Sequence, residues 1–398
     1  MPRFRRTKYL FVYFDDREFL DIRRLVRGEA VVIPLRQILA MSALTGTEHV
    51  ISRPGLDLLL SVPSDEWVER SGEDAQALRR LAFQGLLLSE EPENSLREFR
   101  RRDEVLSSSQ WNVYAALFHF LTKWKDVDVD VHATEEPPEP DEVAREATAT
   151  FVQAYGPPPR HFERAGRALS VTPLPLAERQ GGVWETLARR RTTRSFAPEP
   201  ISVEDLSLIL RYTFGPRGYS RVTDDVVVLR KTSPSGGALH PTEVYPLIRN
   251  VRDVEPGLYH YGTEGHELEL LKAVGPEEGA GIAFELASGQ AFVREAAVLF
   301  LLTTRFYRNF WKYRRHRRAY AVLLMDAAHL AQTFYLVCTE LGLGAFVTAA
   351  VNGANIEERL GLDPFAEGAL AMCGCGRPAD REELDVGFLP YSPRETVI

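Results

Sequence analysis

Arg189-Arg-Arg-Thr-Thr-Arg-Ser-Phe196 interleaves four arginines with hydroxyls, and Lys231-Thr-Ser-Pro-Ser-Gly-Gly-Ala-Leu-His-Pro-Thr-Glu-Val-Tyr245 follows downstream. Arginine presents a planar fork of donors that suits an anion such as phosphate. Glycine has no Cβ, so the backbone of a Ser-Gly-Gly loop can approach a flat ligand closely. Together the segments suit a phosphate joined to a planar ring. The bland alternative for Arg189–Arg194 is a solvated helix terminus.

Three motifs in order, Arg190-Arg-Thr-Thr-Arg-Ser-Phe196, Pro234-Ser-Gly-Gly-Ala-Leu-His-Pro-Thr-Glu-Val-Tyr245 and Gly257-Leu-Tyr-His-Tyr261, resemble the nitroreductase superfamily. They are most similar to its branch of azoline (thiazoline/oxazoline) dehydrogenases, flavoenzymes of peptide maturation. The resemblance spans roughly residues 181–398. It implies an α+β fold, a nitroreductase-like FMN-binding sandwich that forms a domain-swapped homodimer with two flavins at the interface. It implies that Arg190, Thr192 and Arg194 line the FMN phosphate and ribityl chain, with Arg191 near the isoalloxazine. Pro234, Ser235, Gly236, Gly237, Ala238 and Leu239 would meet the ring from the opposite subunit. Asp326-Ala-Ala-His-Leu-Ala-Gln332 and Leu341-Gly-Leu-Gly-Ala-Phe-Val-Thr-Ala-Ala350 match the family's helix-to-strand passage, which adds Gln332 to the cofactor set. Thr348, Ala349 and Ala350 would then reach the flavin N5 edge, and Arg377 aligns with a basic position at the phosphate. Thr192 replaces the usual serine, and Ala327-Ala328 departs from the common alanine-glycine or leucine-glycine.

Phe306-Tyr-Arg-Asn-Phe-Trp-Lys-Tyr-Arg-Arg-His-Arg-Arg-Ala-Tyr320 is the second chemical stretch. The azoline dehydrogenases carry a Lys-Tyr pair just before an Arg-x-Tyr and a long helix, and Lys312-Tyr313 holds that place. Oxidising an azoline removes a proton and a hydride from neighbouring ring carbons. The resemblance implies hydride to flavin N5 and the proton to Lys312, with Tyr313 orienting the ring or relaying the proton. A lysine serves as a base only when partly neutral, and burial beside Arg314, Arg315, Arg317 and Arg318 would lower its pKa. His316 is a second candidate base. Without the resemblance, this run reads as an exposed basic helix or a patch for an acidic leader peptide.

The implied function is an FMN-dependent dehydrogenase or oxidase that matures a ribosomally made peptide (RiPP biosynthesis), turning azolines into thiazoles or oxazoles. Its partners would be a precursor peptide, a second copy of the chain and a cyclodehydratase complex. Two alternatives stand beside it. One is an NAD(P)H-dependent nitro- or quinone-type flavin reductase, against which the long N-terminal extension speaks. The other is a peptide-binding scaffold without catalysis, against which Arg190, Arg194, Ser235 and Gly236 speak.

Composition fits an ordinary globular protein: 398 residues, 44% hydrophobic and 26% charged. The net charge of −8 does not favour nucleic acid. The absence of about 18 uninterrupted apolar residues argues against a membrane span. Leu10–Phe14 is too short for a signal segment. Three cysteines suggest a reducing compartment, hence the cytoplasm. Cys373-Gly-Cys375 lacks metal-site spacing and the histidines are scattered, so no metal is expected.

Several elements must position these residues. Residues 1–100 read as a winged-helix-like N-terminal domain, which would grip a leader peptide or buttress the dimer. Leu10–Tyr13 reads as a strand, Val31–Leu39 as a strand running towards a helix, Asp74–Phe83 as a helix and Gly85–Leu88 as a turn and strand. Residues 101–180 form a connecting segment, with an aromatic helix around Trp111–Trp124 whose His119 reads as a packed core histidine. Pro- and acid-rich runs at 134–142 and 156–159 read as linker. Residues 181–398 form the FMN domain. Ser202 and Asp205 open a capped helix, and Val226–Leu229, Glu243–Ile248, Ala297–Thr303 and Leu370–Gly374 are strands. Ala319–Leu341 is a long helix ending at Gly342.

Overall fold

The computed structural model describes residues 1–20, 32–129, 149–150, 152–154, 156–157, 179–224 and 226–379. The linker expected at 134–142 lies outside them, as do residues 158–159.

The chain opens with β1 (Arg3–Arg6), β2 (Leu10–Leu20), β3 (Val32–Ser42) and β4 (Thr47–Ile51). Then come α1 (Arg53–Leu60), β5 (Val68–Glu69), α2 (Gly72–Phe83), β6 (Leu87–Ser89) and α3 (Asn94–Ser108). Two small antiparallel sheets result, ordered β5-β1-β6 and β2-β3-β4. The strand at Val32 does not run into a helix. It continues through Ala40-Met41-Ser42, paired with β2 on one edge and β4 on the other. Two ladders outweigh the helical preference of those residues.

α4 (Val113–Thr122) follows, started by Asn112, whose side chain accepts the Tyr114 and Ala115 N–H groups. The second half contains α5 (Val183–Arg189), α6 (Val203–Ile209) and the hairpin β7 (Pro216–Thr223)–β8 (Val226–Lys231). Ser202 caps α6 by accepting from the Asp205 N–H, as its sequence signature requires. β9 (Thr242–Ile248), β10 (Gly257–Gly262), β11 (Glu267–Ala273) and α7 (Pro276–Leu286) come next. The chain then forms β12 (Val298–Arg305), α8 (Phe306–Tyr313), α9 (Ala319–Glu340), β13 (Gly344–Thr348), α10 (Gly353–Leu360) and β14 (Glu367–Gly376).

A six-stranded sheet, ordered β11-β10-β9-β12-β14-β13, organises this half. Val298, Phe300 and Leu302 face α6 and α9, while Leu299 and Leu301 face α7 and α10. Both faces of β12 are covered, which explains its unbroken apolar run. At Gly374 a Cβ would lie 2.2 Å from the Phe346 ring, so only glycine lets that ring cross β14. The β12–β14 register slips between Leu302 and Thr303, leaving Leu370 between paired residues.

A third core joins the N-terminal part to the C-terminal half. Trp111 is fully buried against Phe306 at 4.4 Å and Phe310 at 4.9 Å between ring centroids, and its indole N–H donates to the Phe365 carbonyl. α9 is long and apolar enough to cross a membrane, with a mean hydropathy of 1.4. Its Leu323, Leu330, Phe334 and Cys338 are buried in these cores instead.

Candidate functional site

The loop after β8 is held on α9 by one buried carboxylate. Asp326 accepts the Ser235 hydroxyl at 2.5 Å and the Gly236 N–H at 3.0 Å. Ser235 Oγ in turn accepts the His240 N–H, and Arg308 of α8 donates to the Leu239 carbonyl. Gly237 has φ +65°, which glycine adopts without strain, and the following turn holds Ala238 and His240 at positive φ as well.

Lys312 and Tyr313 end α8 directly over this loop. A Cβ on Gly237 would lie 2.8 Å from Lys312 Nζ, and one on Gly236 would lie 3.4 Å from the Tyr313 hydroxyl. The structure thus brings Lys312, Tyr313 and the Ser235–Leu239 backbone together. It does not bury Lys312, which is exposed in the single chain. α8 stops at Arg314 with φ +49°, and the arginines after it project into solvent.

The half-buried lysine is Lys231, whose type and place in the motif did not mark it. Burial pushes it down to about 8, against the pull of Glu243 and with help from Arg305 and Arg308. Burial also lowers His240, with the Lys231 charge acting in the same direction. Glu243 binds Arg305 at 2.7 Å and approaches His260 at 3.4 Å.

The arginine half lies elsewhere. Thr193 N–H donates to the Ala345 carbonyl, which lays residues 190–196 beside β13. The Arg190 guanidinium lies 5.2 Å from the Tyr335 ring centroid, and that of Arg194 lies 5.6 Å from Phe292. Neither has a carboxylate partner among the described residues, so both charges are available to an anion such as phosphate. The Tyr335 hydroxyl meets Thr192 Oγ1 at 3.0 Å and accepts the Val347 N–H. Arg377 pairs with Asp205 at 3.4 Å, and its carbonyl accepts the Ala197 N–H.

Beyond β13, Gln290 shapes the next turn. Thr348 Oγ1 donates to Gln290 Oε1, and Gln290 Nε2 donates to the Ala350 carbonyl. Nothing in the sequence pointed to Gln290, an isolated amide far from both motifs. Arg191 is exposed, and Gln332 sits on the exposed face of α9.

The two halves hang on opposite sides of α9. Asp326 and Tyr335 are nine positions apart, about half a turn out of phase and ~13 Å apart along the axis. One chain therefore collects Arg190, Thr192, Arg194 and Thr348–Ala350 on one side. It collects Lys312, Tyr313 and Ser235–Leu239 on the other.

The nitroreductase family model matches residues 187–377. MJ1384 of Methanocaldococcus jannaschii, which carries the name of a nitroreductase, is 31% identical over 181 residues, 46% of this chain and 85% of that protein. The trifolitoxin-processing protein TfxB of Rhizobium leguminosarum bv. trifolii is 29% identical over 175 residues, 44% of this chain and 47% of that protein. The chain thus spans just under half the length of TfxB. Among solved structures, a chain of the E. coli microcin synthetase McbBCD complex with truncated pro-MccB17 bound superposes with a TM-score of 0.49 and 20% identity, covering 73% of this chain and 99% of that one. The motif order, the six-stranded sheet and the MJ1384 match lead to one assignment: this chain belongs to the nitroreductase family.

Proposed function

We propose that this protein is an FMN-dependent dehydrogenase that matures a ribosomally made peptide by oxidising azoline rings to azoles. The observation that carries the reading is the contact between Lys312–Tyr313 and the Gly236–Gly237 backbone. It sets a candidate proton acceptor against the loop expected to meet the flavin ring. The processing role named for TfxB supports the peptide class of substrate.

Arg190, Arg194 and Arg377 would hold the phosphate of FMN, with Thr192 beside the phosphate and ribityl chain and Thr348–Ala350 at the ring edge. Bound there, FMN supplies the two-electron acceptor that takes the hydride of the azoline. Lys312 takes the proton from the adjacent ring carbon, and Tyr313 orients the ring. A lysine accepts a proton only in its neutral form, which burial favours. Closure by a second subunit and by substrate would supply the burial that the single chain lacks. A homodimer would also bring the arginine half of one chain to the Lys312 half of the other. The azolines would come from a cyclodehydratase partner.

The test is direct. The purified protein should carry a flavin spectrum and remove two hydrogens per ring from a thiazoline-containing peptide, read by mass. A colourless protein that FMN cannot reconstitute sinks the reading. The name of MJ1384 favours a second possibility, a reductase that consumes NAD(P)H. Rapid NAD(P)H oxidation with menadione, together with no peptide oxidation, would select it.

A further inference from the structure

α4 ends in a turn, Lys123–Trp124, that walls a cavity of about 280 Å³. Tyr320 and Leu324 of α9 form another wall, and Ala349 and Leu370 close it from the sheet side. Leu370 is the residue left between pairs by the β12–β14 bulge.

The wall mixes polar with apolar side chains and carries no spare charge. Lys123 is the one lysine or arginine among the described lining residues, and both Glu357 oxygens lie 2.8 Å from Lys123 Nζ. The two side chains are 11% and 4% exposed, so the pair is closed off and neutral as a unit. A dinucleotide phosphate would find no free cation here. His119 is 4% exposed and bonds the Tyr320 hydroxyl through Nδ1 at 2.7 Å. Its Nε2 is buried with no partner among the described residues. A Cβ on Gly368 would lie 3.1 Å from this nitrogen, so it faces β14 and not the open cavity.

Position along α9 completes the argument. Leu324 and Tyr335 are eleven positions apart, within about 20° of each other round the helix and ~16 Å apart along it. The cavity therefore shares a face with the arginine half and lies at its far end, beside Ala349. A ligand whose phosphate sits at Arg190 and Arg194 would extend its planar end towards this cavity.

We propose that the cavity is the subsite for the substrate ring, an uncharged five-membered heterocycle carried in a peptide. Trp124 offers the stacking face, and Leu324, Val351 and Leu370 the apolar contacts. Selectivity would then be set by α4 and its following turn, outside the matched residues 187–377. The proposal rests on the reading of the protein as an azoline dehydrogenase.

The test titrates thiazole-4-carboxamide, a neutral mimic of the product ring, into the FMN-loaded full chain by calorimetry. Thr122→Trp should fill the cavity from its exposed end, and Trp124→Ala should remove the stacking face. Both should weaken binding by roughly tenfold or more and raise KM for a thiazoline peptide in parallel. FMN content and dithionite reduction are the controls for folding. Unchanged affinity and KM in both variants would overturn the subsite, as would a wild type that does not bind the ring. If the ring binds and both variants weaken it, yet the wild type oxidises no azoline, the subsite stands and the assigned reaction falls.

Discussion

Asp326 and Tyr335 face opposite ways from the same helix, and each fastens a different half of the candidate site. Asp326 fixes the Ser235–Gly236 loop, while Tyr335 holds Thr192 and underlies Arg190. A continuous helix between them cannot fold the halves together. Mixed dimers test how they combine. Arg194→Ala should weaken FMN binding by about 1.5–3 kcal/mol through loss of a charge-assisted bond, and Lys312→Ala should lose turnover. Refolded as an equal mixture, the two variants should recover roughly a quarter of wild-type peptide oxidation, because half the dimers contain one intact site. A mixture no better than its components would place the whole site within one chain.

Lys312 should matter to turnover and not to cofactor binding, since it touches the loop backbone and none of the arginine half. Lys312→Ala should retain bound flavin while turnover on the native peptide falls by roughly 10²–10⁴, the usual contribution of a positioned base. Lys312→Arg should rescue little, because guanidinium stays protonated. Tyr313→Phe should do less damage. Steady-state peptide oxidation beside flavin absorbance separates these cases. An alanine variant with near wild-type turnover would move suspicion to Tyr313 or His316.

Gly236 has no room for a side chain. A Cβ there would lie 2.2 Å from Val322 Cγ1, on a β-branched residue with little rotamer freedom. Gly236→Ala should cost about 1–3 kcal/mol by overpacking and loosen the loop from Asp326. Gly281→Ala is the control. It lies within α7, nothing stands within 4 Å of its Cβ, and alanine should stabilise that helix by up to about 1 kcal/mol. Thermal unfolding of the two variants should therefore shift in opposite directions.

His260 links stability to pH. Its proton is held to about 9, first by the half-buried Glu243 and, against the cost of burial, also by the half-exposed Glu269. The raised value means that its stabilisation is complete below about 6.5 and is lost as pH climbs through about 9. His260→Gln should erase that decline, so the stability gap between wild type and variant should narrow by on the order of 2 kcal/mol across this range. Lys231, lowered to about 8, acts in the opposite sense, adding stability as pH rises above 8. It is common to both proteins and largely cancels in the difference. Urea unfolding at several pH values measures the gap, and a gap independent of pH would refute the link.

The elements legible in the sequence were those whose signal is local. The apolar run of β12, the Ser202 cap of α6 and the turn at Gly342 each state their own conformation. The positive charges of the arginine half were legible for the same reason. Less so were features made by distant pairing. β3 looks helical at Ala40-Met41 until β2 and β4 flank it. Asp326 is an unremarkable helical acid until Ser235 and Gly236 arrive from ninety residues away. Lys231 opens its motif without distinguishing itself and Gln290 belongs to none; their roles come from burial and from contacts with Thr348 and Ala350. The exposure of Lys312 was hidden because the same basic run could close over a pocket or project from it.

Trp111 carries a last consequence. Its indole packs against both Phe306 and Phe310, beside the residues just before Lys312, yet it comes from well upstream of the stretch that the family model recognises. The recognisable unit and the foldable unit are therefore different lengths of chain. Excising residues 187–377 would leave the helix that carries Lys312 resting on a vacated hydrophobic socket. In this protein the upstream region is part of the foundation of the candidate site, so ancestry drawn from the matched segment alone understates what had to be inherited together.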